Sequence, residues 1–155
     1  MDTEKQPVEL ARLIEKLTGI WNVGISIQLA DGTVLNGNGE MLVQQIVDGF
    51  GLRSEMELEI VGLGKYIEQD LWGYQPWGRK LHIYSITTTA AVHDHTGVWK
   101  DENSLAFQWE GINDGKSSTE ELTLDWLSPS RIYGHEIDMG EGKVEAEINY
   151  NFTKK

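Results

Sequence analysis

The sequence predicts an all-β fold, a closed antiparallel β-barrel of about ten strands with a short N-terminal α-helix. Apolar and polar residues alternate with a period of two from about residue 19 to residue 153. Turns rich in glycine, proline and asparagine divide this region into short, evenly spaced runs. Such a meander has two free edges unless its last strand pairs with its first, so closure into a barrel is favoured.

Length and charge limit the organisation and the partners of the chain. The 155 residues fit one domain, 1–155. A formal net charge of −12 repels phosphate backbones and anionic bilayers, so we expect no nucleic-acid partner and no membrane partner. The chain has no cysteine, which excludes disulfides and thiolate metal sites. A polar, acidic stretch at residues 1–6 and the lack of a long apolar run predict a cytoplasmic protein.

The spacing of apolar residues predicts one helix over about residues 7–18. Pro7 suits a first helical turn, and Gly19 ends the pattern. Between them a single apolar stripe is formed by Leu10, Leu13, Ile14 and Leu17. A helix of about three turns is marginally stable in water, so this stripe must pack against the barrel, which we expect over about residues 19–153.

The first strands carry the clearest alternation. Trp21 begins a run to Leu29, the Asp31-Gly32 pair predicts a hairpin turn, and a further run covers 39–47. We expect Trp21 to fill the closed end of the barrel beneath the helix. In the next strand Met56, Leu58 and Ile60 alternate with a solvated acidic face formed by Glu55, Glu57 and Glu59.

The remaining strands follow in short runs to the end of the pattern. They cover about 65–74, 80–89, 91–99, 104–111, 118–127, 131–139 and 143–153. A barrel of more than about eight strands is too wide for its own side chains to fill, so the sequence predicts an internal cavity. Trp77 lies in a Pro-Trp-Gly turn, and we expect it to be exposed, at a cavity portal or at the contact of a homodimer.

Several short motifs resemble known barrel proteins. Leu-Thr-Gly-Ile-Trp at 17–21 resembles the opening of calycins, the superfamily of lipocalins and fatty-acid-binding proteins. Later motifs resemble an uncharacterised, mainly bacterial lipocalin-like family of unknown function, itself similar in architecture to the heme-binding nitrobindins. These motifs are Gly73-Tyr74, 80–84, 96–99 with Asp101-Glu102, Gly142-Lys143 and 147–152. The resemblance implies a calycin-like barrel with a cavity for a small hydrophobic molecule, and it implies no activity.

The leading functional prediction is the binding of a small hydrophobic or aromatic ligand inside the barrel. The four histidines lie on strand faces that also carry aromatic residues, and imidazoles beside aromatic rings suit a flat ligand with a few polar groups. The predicted ligand-binding residues are Trp72, His82, Tyr84, His93, His95, Trp99, Tyr133 and His135. A shift of strand register by one residue would turn the histidines to water instead.

An alternative prediction is a small cofactor-independent isomerase or cyclase that acts on a hydrophobic, polyketide- or polyene-like substrate. A His or Tyr side chain would supply general acid–base catalysis. The candidates are His82, Tyr84, His93, His95, Tyr133 and His135. Glu68 or Asp70, which share a face with Trp72, could also serve if that face points into the cavity, where burial would raise the pKa of both acids. Burial preferences favour the alternative, in which this face lies outside the barrel.

Metal and heme sites are weaker alternatives. His93 and His95 lie two residues apart on one strand and present their imidazoles side by side. A third ligand would be needed, and His82 on the preceding strand is the nearest supplier, with His135 or Glu136 more remote. The similarity to nitrobindins suggests His135 as an axial heme ligand. The prediction that we favour has no cofactor and no metal.

Overall fold

The computed structural model describes residues 5–155. In chain order the elements are α1 (Val8–Leu17), β1 (Gly19–Leu29), β2 (Val34–Ile46), β3 (Gly51–Ile60), β4 (Gly64–Gln75), β5 (Lys80–Thr87), β6 (Val92–Trp99), β7 (Ser104–Asn113), β8 (Lys116–Ser128), β9 (Arg131–Gly140) and β10 (Lys143–Lys154). A 3₁₀ turn at Val47–Gly49 links β2 and β3. The predicted all-β class, with one short helix before the strands, is confirmed.

The ten strands close into one antiparallel barrel. Each strand pairs with the next in sequence, and β10 pairs with β1 to complete the ring. The closing ladder runs from Trp21 opposite Lys154 to Leu29 opposite Ala146. Because this pairing leaves no free edge, the reasoning that favoured closure over an open sheet is confirmed.

Helix α1 covers one end of the barrel, which we call the capped end. Its apolar stripe is buried, with Leu13 fully so. Directly beneath it the Trp21 side chain is also fully buried, and its Nε1 donates a hydrogen bond of 2.8 Å to the carbonyl oxygen of Leu17. The helix and the first strand are therefore joined by packing and by one buried polar contact. No helix among residues 5–155 combines the length and the apolar character that a membrane crossing requires.

The outer faces of the strands follow the predicted alternation most closely in β3. Glu55, Glu57 and Glu59 are exposed, while Met56 and Leu58 between them are buried. This confirms the solvated acidic face.

One pair of neighbouring strands is joined over only part of its length. β6 and β7 pair from Thr96 opposite Gln108 to Trp99 opposite Leu105, and the pairing does not extend toward His93. Within the paired part, a Cβ atom at Gly97 would lie 2.3 Å from the Phe107 ring, so only glycine fits there. The barrel wall is therefore tight near the capped end and separated between β6 and β7 farther along.

Candidate functional site

The barrel encloses a cavity of about 380 Å³. The cavity begins at Leu17 of α1 and extends to the opposite end of the barrel, where it reaches Leu63, Thr89 and Asn113. We call this second end the mouth. A volume of this size lies within the range of small-molecule sites, roughly 300–1,000 Å³.

One side of the cavity is hydrocarbon. Strands β1, β2, β3 and β10 contribute it, because the cavity-lining positions of these strands carry aliphatic and thioether side chains, apart from Tyr150 and Phe152 of β10. We call this surface the apolar wall, and it is formed by Ile25, Ile27, Met41, Met56, Ile60 and Ile148.

The facing side is lined by acids, histidines and hydroxyl groups. Strands β4, β5, β6, β8 and β9 contribute this polar wall, which is formed by Glu68, Asp70, Ser85, His93, His95, Glu120, Glu136 and Asp138. Five of these residues are carboxylic acids, and no lysine or arginine among residues 5–155 lines the cavity. The cavity therefore favours positive charge and hydrogen-bond donors on one side and apolar groups on the other.

Asp70 lies at the centre of a buried hydrogen-bond network. The hydroxyl groups of Ser85 and Ser54 donate to its Oδ1 and Oδ2 at 2.6 Å and 2.8 Å. Ser54 in turn accepts a 2.8 Å hydrogen bond from Nε1 of Trp72. Burial raises the pKa of Asp70, and the two hydroxyl donors partly oppose that rise. The network fixes the Trp72 ring at the cavity surface.

Two further acids are each paired with a tyrosine. The hydroxyl of Tyr66 donates to Glu68 at 2.5 Å, and the hydroxyl of Tyr150 donates to Glu136 at 3.1 Å. Burial raises the pKa of Glu68 well above its usual range, and the charge of Asp70 adds to the effect. Burial likewise raises the pKa of Glu136, with Asp138 as the next cause. Both acids are therefore harder to ionise than a carboxyl group in water.

A cluster of two imidazoles and one carboxylate lies where β6 approaches β8. Nδ1 of His93 is 3.0 Å from Oε1 of Glu120, and Nε2 of His95 is 2.6 Å from Oε2 of the same residue. The His93 ring stacks on Trp109, with centroids 3.7 Å apart and planes 16° apart. We call His93, His95 and Glu120 the histidine–glutamate cluster.

The electrostatics of the cluster differ from those of the other interior acids. Burial acts to raise the pKa of Glu120, but the hydrogen bond from His95 and the charges of both histidines outweigh it, so this pKa is lowered. In contrast, burial raises the pKa of Asp138, opposite Glu120 on β9, to about 6. Glu120 is therefore the interior acid with the strongest tendency to be ionised.

Three of the predicted ligand-binding residues line the cavity. They are Trp72, His93 and His95. Trp99 points to the same side of β6 but lies at the capped end, where its Nε1 donates to the carbonyl oxygen of Glu9 and its ring packs 5.4 Å from that of Trp126. Trp99 thus supports the helix and does not reach the cavity.

The remaining predicted site residues lie on the outer surface of the barrel, so their expected orientation is wrong. Nδ1 of His82 is 3.0 Å from Asp94 on the outside, and Tyr84 beside it is 45% exposed. The inward positions of that strand belong to Leu81, Ile83 and Ser85.

The same correction holds on β9. The hydroxyl of Tyr133 donates to Asn149 at 2.5 Å, and Nε2 of His135 is 2.8 Å from Glu147, both on the outside. The inward positions of β9 carry Ile132, Gly134, Glu136 and Asp138. A metal site with His82 as the third ligand, and a heme held by His135 in the cavity, are therefore excluded by orientation.

Glu68 and Asp70 were expected on the outside of the barrel but lie on the inside. Burial preferences placed their face outside the barrel, yet both line the cavity together with Trp72. The serine and tyrosine hydroxyls described above satisfy their oxygens, which is how acids can lie inside a protein.

Three acids and two tyrosines of the cavity were not among the predicted ligand-binding residues, although Glu136 was named as a remote metal ligand. Glu120 had a usable signal, because it continues the inward alternation of Leu122, Leu124 and Trp126 on β8. For the other four residues, the inward orientation follows from contacts with neighbouring strands and cannot be seen from the alternation along one strand. These residues are Tyr66, Glu136, Asp138 and Tyr150.

Trp77 is 97% exposed, as predicted. It lies in the turn between β4 and β5, and that turn is at the capped end, because the β4 residue Trp72 pairs across to Leu52 near the start of β3. The expected portal role is therefore wrong, since the mouth is at the other end.

Comparisons with known proteins give structural neighbours only. Searches against models of protein families and against curated proteins each found no match. An S-type phycobiliprotein lyase from Guillardia theta is similar, with a TM-score of 0.63 and 14% identity over 96% of this chain and 93% of the lyase. A redesigned β-barrel, mFAP0, solved with DFHBI bound, gives a TM-score of 0.51 and 12% identity over 89% of this chain and 98% of that one. The chain thus shares the closed β-barrel fold of these proteins.

Proposed function

We propose that this protein binds a small, largely hydrophobic molecule in the barrel cavity, with a hydrogen-bond-donating or cationic group of the ligand against the polar wall. The observation that carries the proposal is the division of one cavity into an apolar and an acidic side. A polar group of matching chemistry fixes the orientation of a ligand, while apolar contact supplies most of its affinity.

The charge of the polar wall supports a specific class of ligand. Five carboxylic acids face the cavity without a lysine or arginine of residues 5–155 among them. An anionic ligand would have to lie in a negative field, whereas an amine or a neutral donor would compensate it. The structure of the redesigned barrel of similar fold, which has DFHBI bound, supports small-molecule binding by this kind of barrel.

Two aromatic probes of similar shape test the proposal. N-phenyl-1-naphthylamine is neutral, and 1-anilinonaphthalene-8-sulfonate adds one sulfonate to the same skeleton. We expect the neutral probe to bind with enhanced fluorescence and the sulfonate to bind at least ~10-fold more weakly, a difference of about 1.4 kcal/mol. Equal or stronger binding of the sulfonate would contradict the acidic cavity as the binding site.

A matched pair of substitutions locates the probe. Ile27→Trp fills the cavity from the apolar wall, whereas Ile86→Trp adds the same side chain on the outside, where Ile86 is 51% exposed. We expect Ile27→Trp to abolish binding of the neutral probe and Ile86→Trp to leave it unchanged. Loss in both variants, or in neither, would place the probe outside the cavity and overturn the proposal.

A second candidate function, the cofactor-independent isomerase or cyclase, is favoured by one observation. Glu68 and Glu136 face the cavity with a raised pKa, each beside a tyrosine hydroxyl. A carboxylic acid with a raised pKa is suited to general acid catalysis. His93 and His95 line the same cavity and are the predicted catalytic candidates that remain on the inside.

Three finer predictions belong to the proposal. They are membership of the bacterial lipocalin-like family, a cytoplasmic location, and a homodimer with Trp77 at its contact. Analytical ultracentrifugation of the protein and of Trp77→Ala tests the last of these, since a dimer through Trp77 would dissociate in the variant.

A further inference from the structure

The histidine–glutamate cluster has the composition and the placement of a metal centre. We propose that His93, His95 and Glu120 bind one divalent transition-metal ion, such as Zn²⁺, with its remaining coordination positions directed into the cavity. This inference concerns the polar wall alone and does not depend on the small-molecule ligand proposed above.

The first argument is the donor set. Two imidazoles and one carboxylate are the ligands of open zinc sites and of non-heme iron sites, in which other positions stay free for water or substrate. One ligand atom from each of the three residues lies within 4.8 Å of the other two. The three side chains thus converge on a volume that a single ion would fill.

The second argument is distance. Metal–ligand bonds of about 2.0–2.2 Å place neighbouring donor atoms about 3.0–3.5 Å apart. The two nitrogen–oxygen distances are 3.0 Å and 2.6 Å. The first distance lies within that range and the second is a few tenths of an ångström below it. A small separation of His95 from Glu120 would therefore admit an ion in place of the hydrogens between the imidazoles and the carboxylate.

The third argument is a polar atom of the cluster that lacks a partner. His95 is buried, with 8% of its surface exposed, and its Nδ1 has no hydrogen-bond partner among the described residues. An ion bound at Nε2 would leave Nδ1 free to donate its hydrogen to an outer-shell group such as water, as metal-bound imidazoles commonly do. Oδ1 of Asp138, on the strand beside Glu120, is also buried without a partner.

The fourth argument is charge. The carboxylate of Glu120 shares the polar wall with four further carboxylic acids, among them Glu68, Glu136 and Asp138. A divalent cation at the cluster would offset the negative charge of this wall, and no lysine or arginine of residues 5–155 lines the cavity to do so. A bound cation would therefore make the burial of these acids less unfavourable.

The last argument is access and rigidity. β6 and β7 are unpaired beside the cluster, and a groove on the outer surface there is lined by Asp94, Gln108, Trp109 and Glu120. Glu120 borders both this groove and the cavity. An ion can therefore enter from either side, while the stacking of His93 on Trp109 holds one ligand in place.

Calorimetric titration of chelator-treated protein with Zn²⁺ tests the proposal, together with the visible absorption of bound Co²⁺. We expect one ion per chain. His93→Phe keeps a ring to stack on Trp109 but removes the nitrogen, and Glu120→Gln keeps the side-chain size but removes the charge. Each should weaken binding by more than the about 10–100-fold that loss of an outer-shell partner costs.

The matched control is His135→Phe. His135 also contacts a glutamate, but on the outer surface of the barrel. We expect wild-type stoichiometry and affinity in this variant, and circular dichroism will show that all three variants are folded. Saturating Zn²⁺ should raise the melting temperature of wild type and His135→Phe only.

Three results would overturn the metal site. They are no saturable binding at micromolar Zn²⁺, unchanged affinity in folded His93→Phe and Glu120→Gln, or loss of binding in His135→Phe. If a variant of the cluster fails to fold, the Co²⁺ spectrum of wild type decides the question, since a spectrum without imidazole ligation contradicts the proposal.

Discussion

The apolar and polar walls of the cavity are built from the same kind of strand but stabilised in different ways. Ile25, Met41 and Met56 of the apolar wall contribute by leaving water, a gain proportional to the area they bury. Asp70 and Glu136 of the polar wall must instead be satisfied by hydroxyl donors. The comparison shows that one face of the interior stabilises the fold by leaving water, whereas the other carries a desolvation cost that its hydrogen bonds offset, as is common at functional sites.

The largest effect is expected on the apolar side, beneath the helix. Trp21→Ala removes a fully buried indole and its hydrogen bond to the carbonyl of Leu17. We expect the free energy of unfolding to fall by about 3–5 kcal/mol, measured by urea denaturation. Trp77→Ala is the matched control, because Trp77 is 97% exposed and its loss should change stability by less than about 0.5 kcal/mol.

On the polar wall we expect a smaller change in the free energy of unfolding, and there the substitution should stabilise the protein. Burial raises the pKa of Glu136, so the protonated side chain favours the folded state at low pH. That stabilisation is lost as the pH rises from the unfolded pKa, near 4.3, through the raised folded pKa. Glu136→Gln cannot ionise and should be more stable than wild type at pH 8, by about 1.4 kcal/mol for each unit of the raised pKa.

Denaturant unfolding from pH 4 to pH 8 measures this effect. The stability difference between Glu136→Gln and wild type should vanish at pH 4, where both side chains are neutral. Glu147→Gln alters a glutamate on the outer surface and should show no gain at pH 8. If Glu136→Gln is less stable than wild type at pH 8, the ionised carboxylate must have a stabilising partner. That result would contradict the view that its burial destabilises the folded protein.

The smallest effect is expected outside both walls. His82 and Asp94 form a partly exposed pair on the outer surface. Such pairs contribute little, so His82→Ala should change the free energy of unfolding by less than about 1 kcal/mol and leave probe binding unchanged. Weakened binding of the neutral probe would show that this face reaches the ligand after all.

The barrel was predictable because its signals are local. The alternation of Met56 and Leu58 with Glu57, and turns such as Asp31-Gly32, define strand and turn within a few residues. Closure then follows from the meander and the cost of free edges. The helix was predictable for the same reason, because the apolar stripe from Leu10 to Leu17 defines one buried face within ten residues.

The site was only partly predictable, because orientation depends on neighbouring strands. Leu81 and Ile83 alternate with His82 and Tyr84, so both faces of β5 contain apolar or aromatic side chains and neither is marked as inner. On β9 the preference of acids for water points Glu136 outward, and only Tyr150 on the paired strand shows why it faces inward. His93 and His95 were placed correctly because they share a strand face with Trp99, and the aromatic character of that face predicted that it points inward.

The pairing of β1 with β10 has a consequence for synthesis of the protein. All other ladders join strands that are adjacent in the chain, so they can form as each hairpin is completed. Ile25 meets Tyr150 only after every intervening strand has been made. Until then two unsatisfied strand edges are exposed, and a ribosome-bound chain stalled before residue 143 is therefore the species of this protein most prone to aggregate.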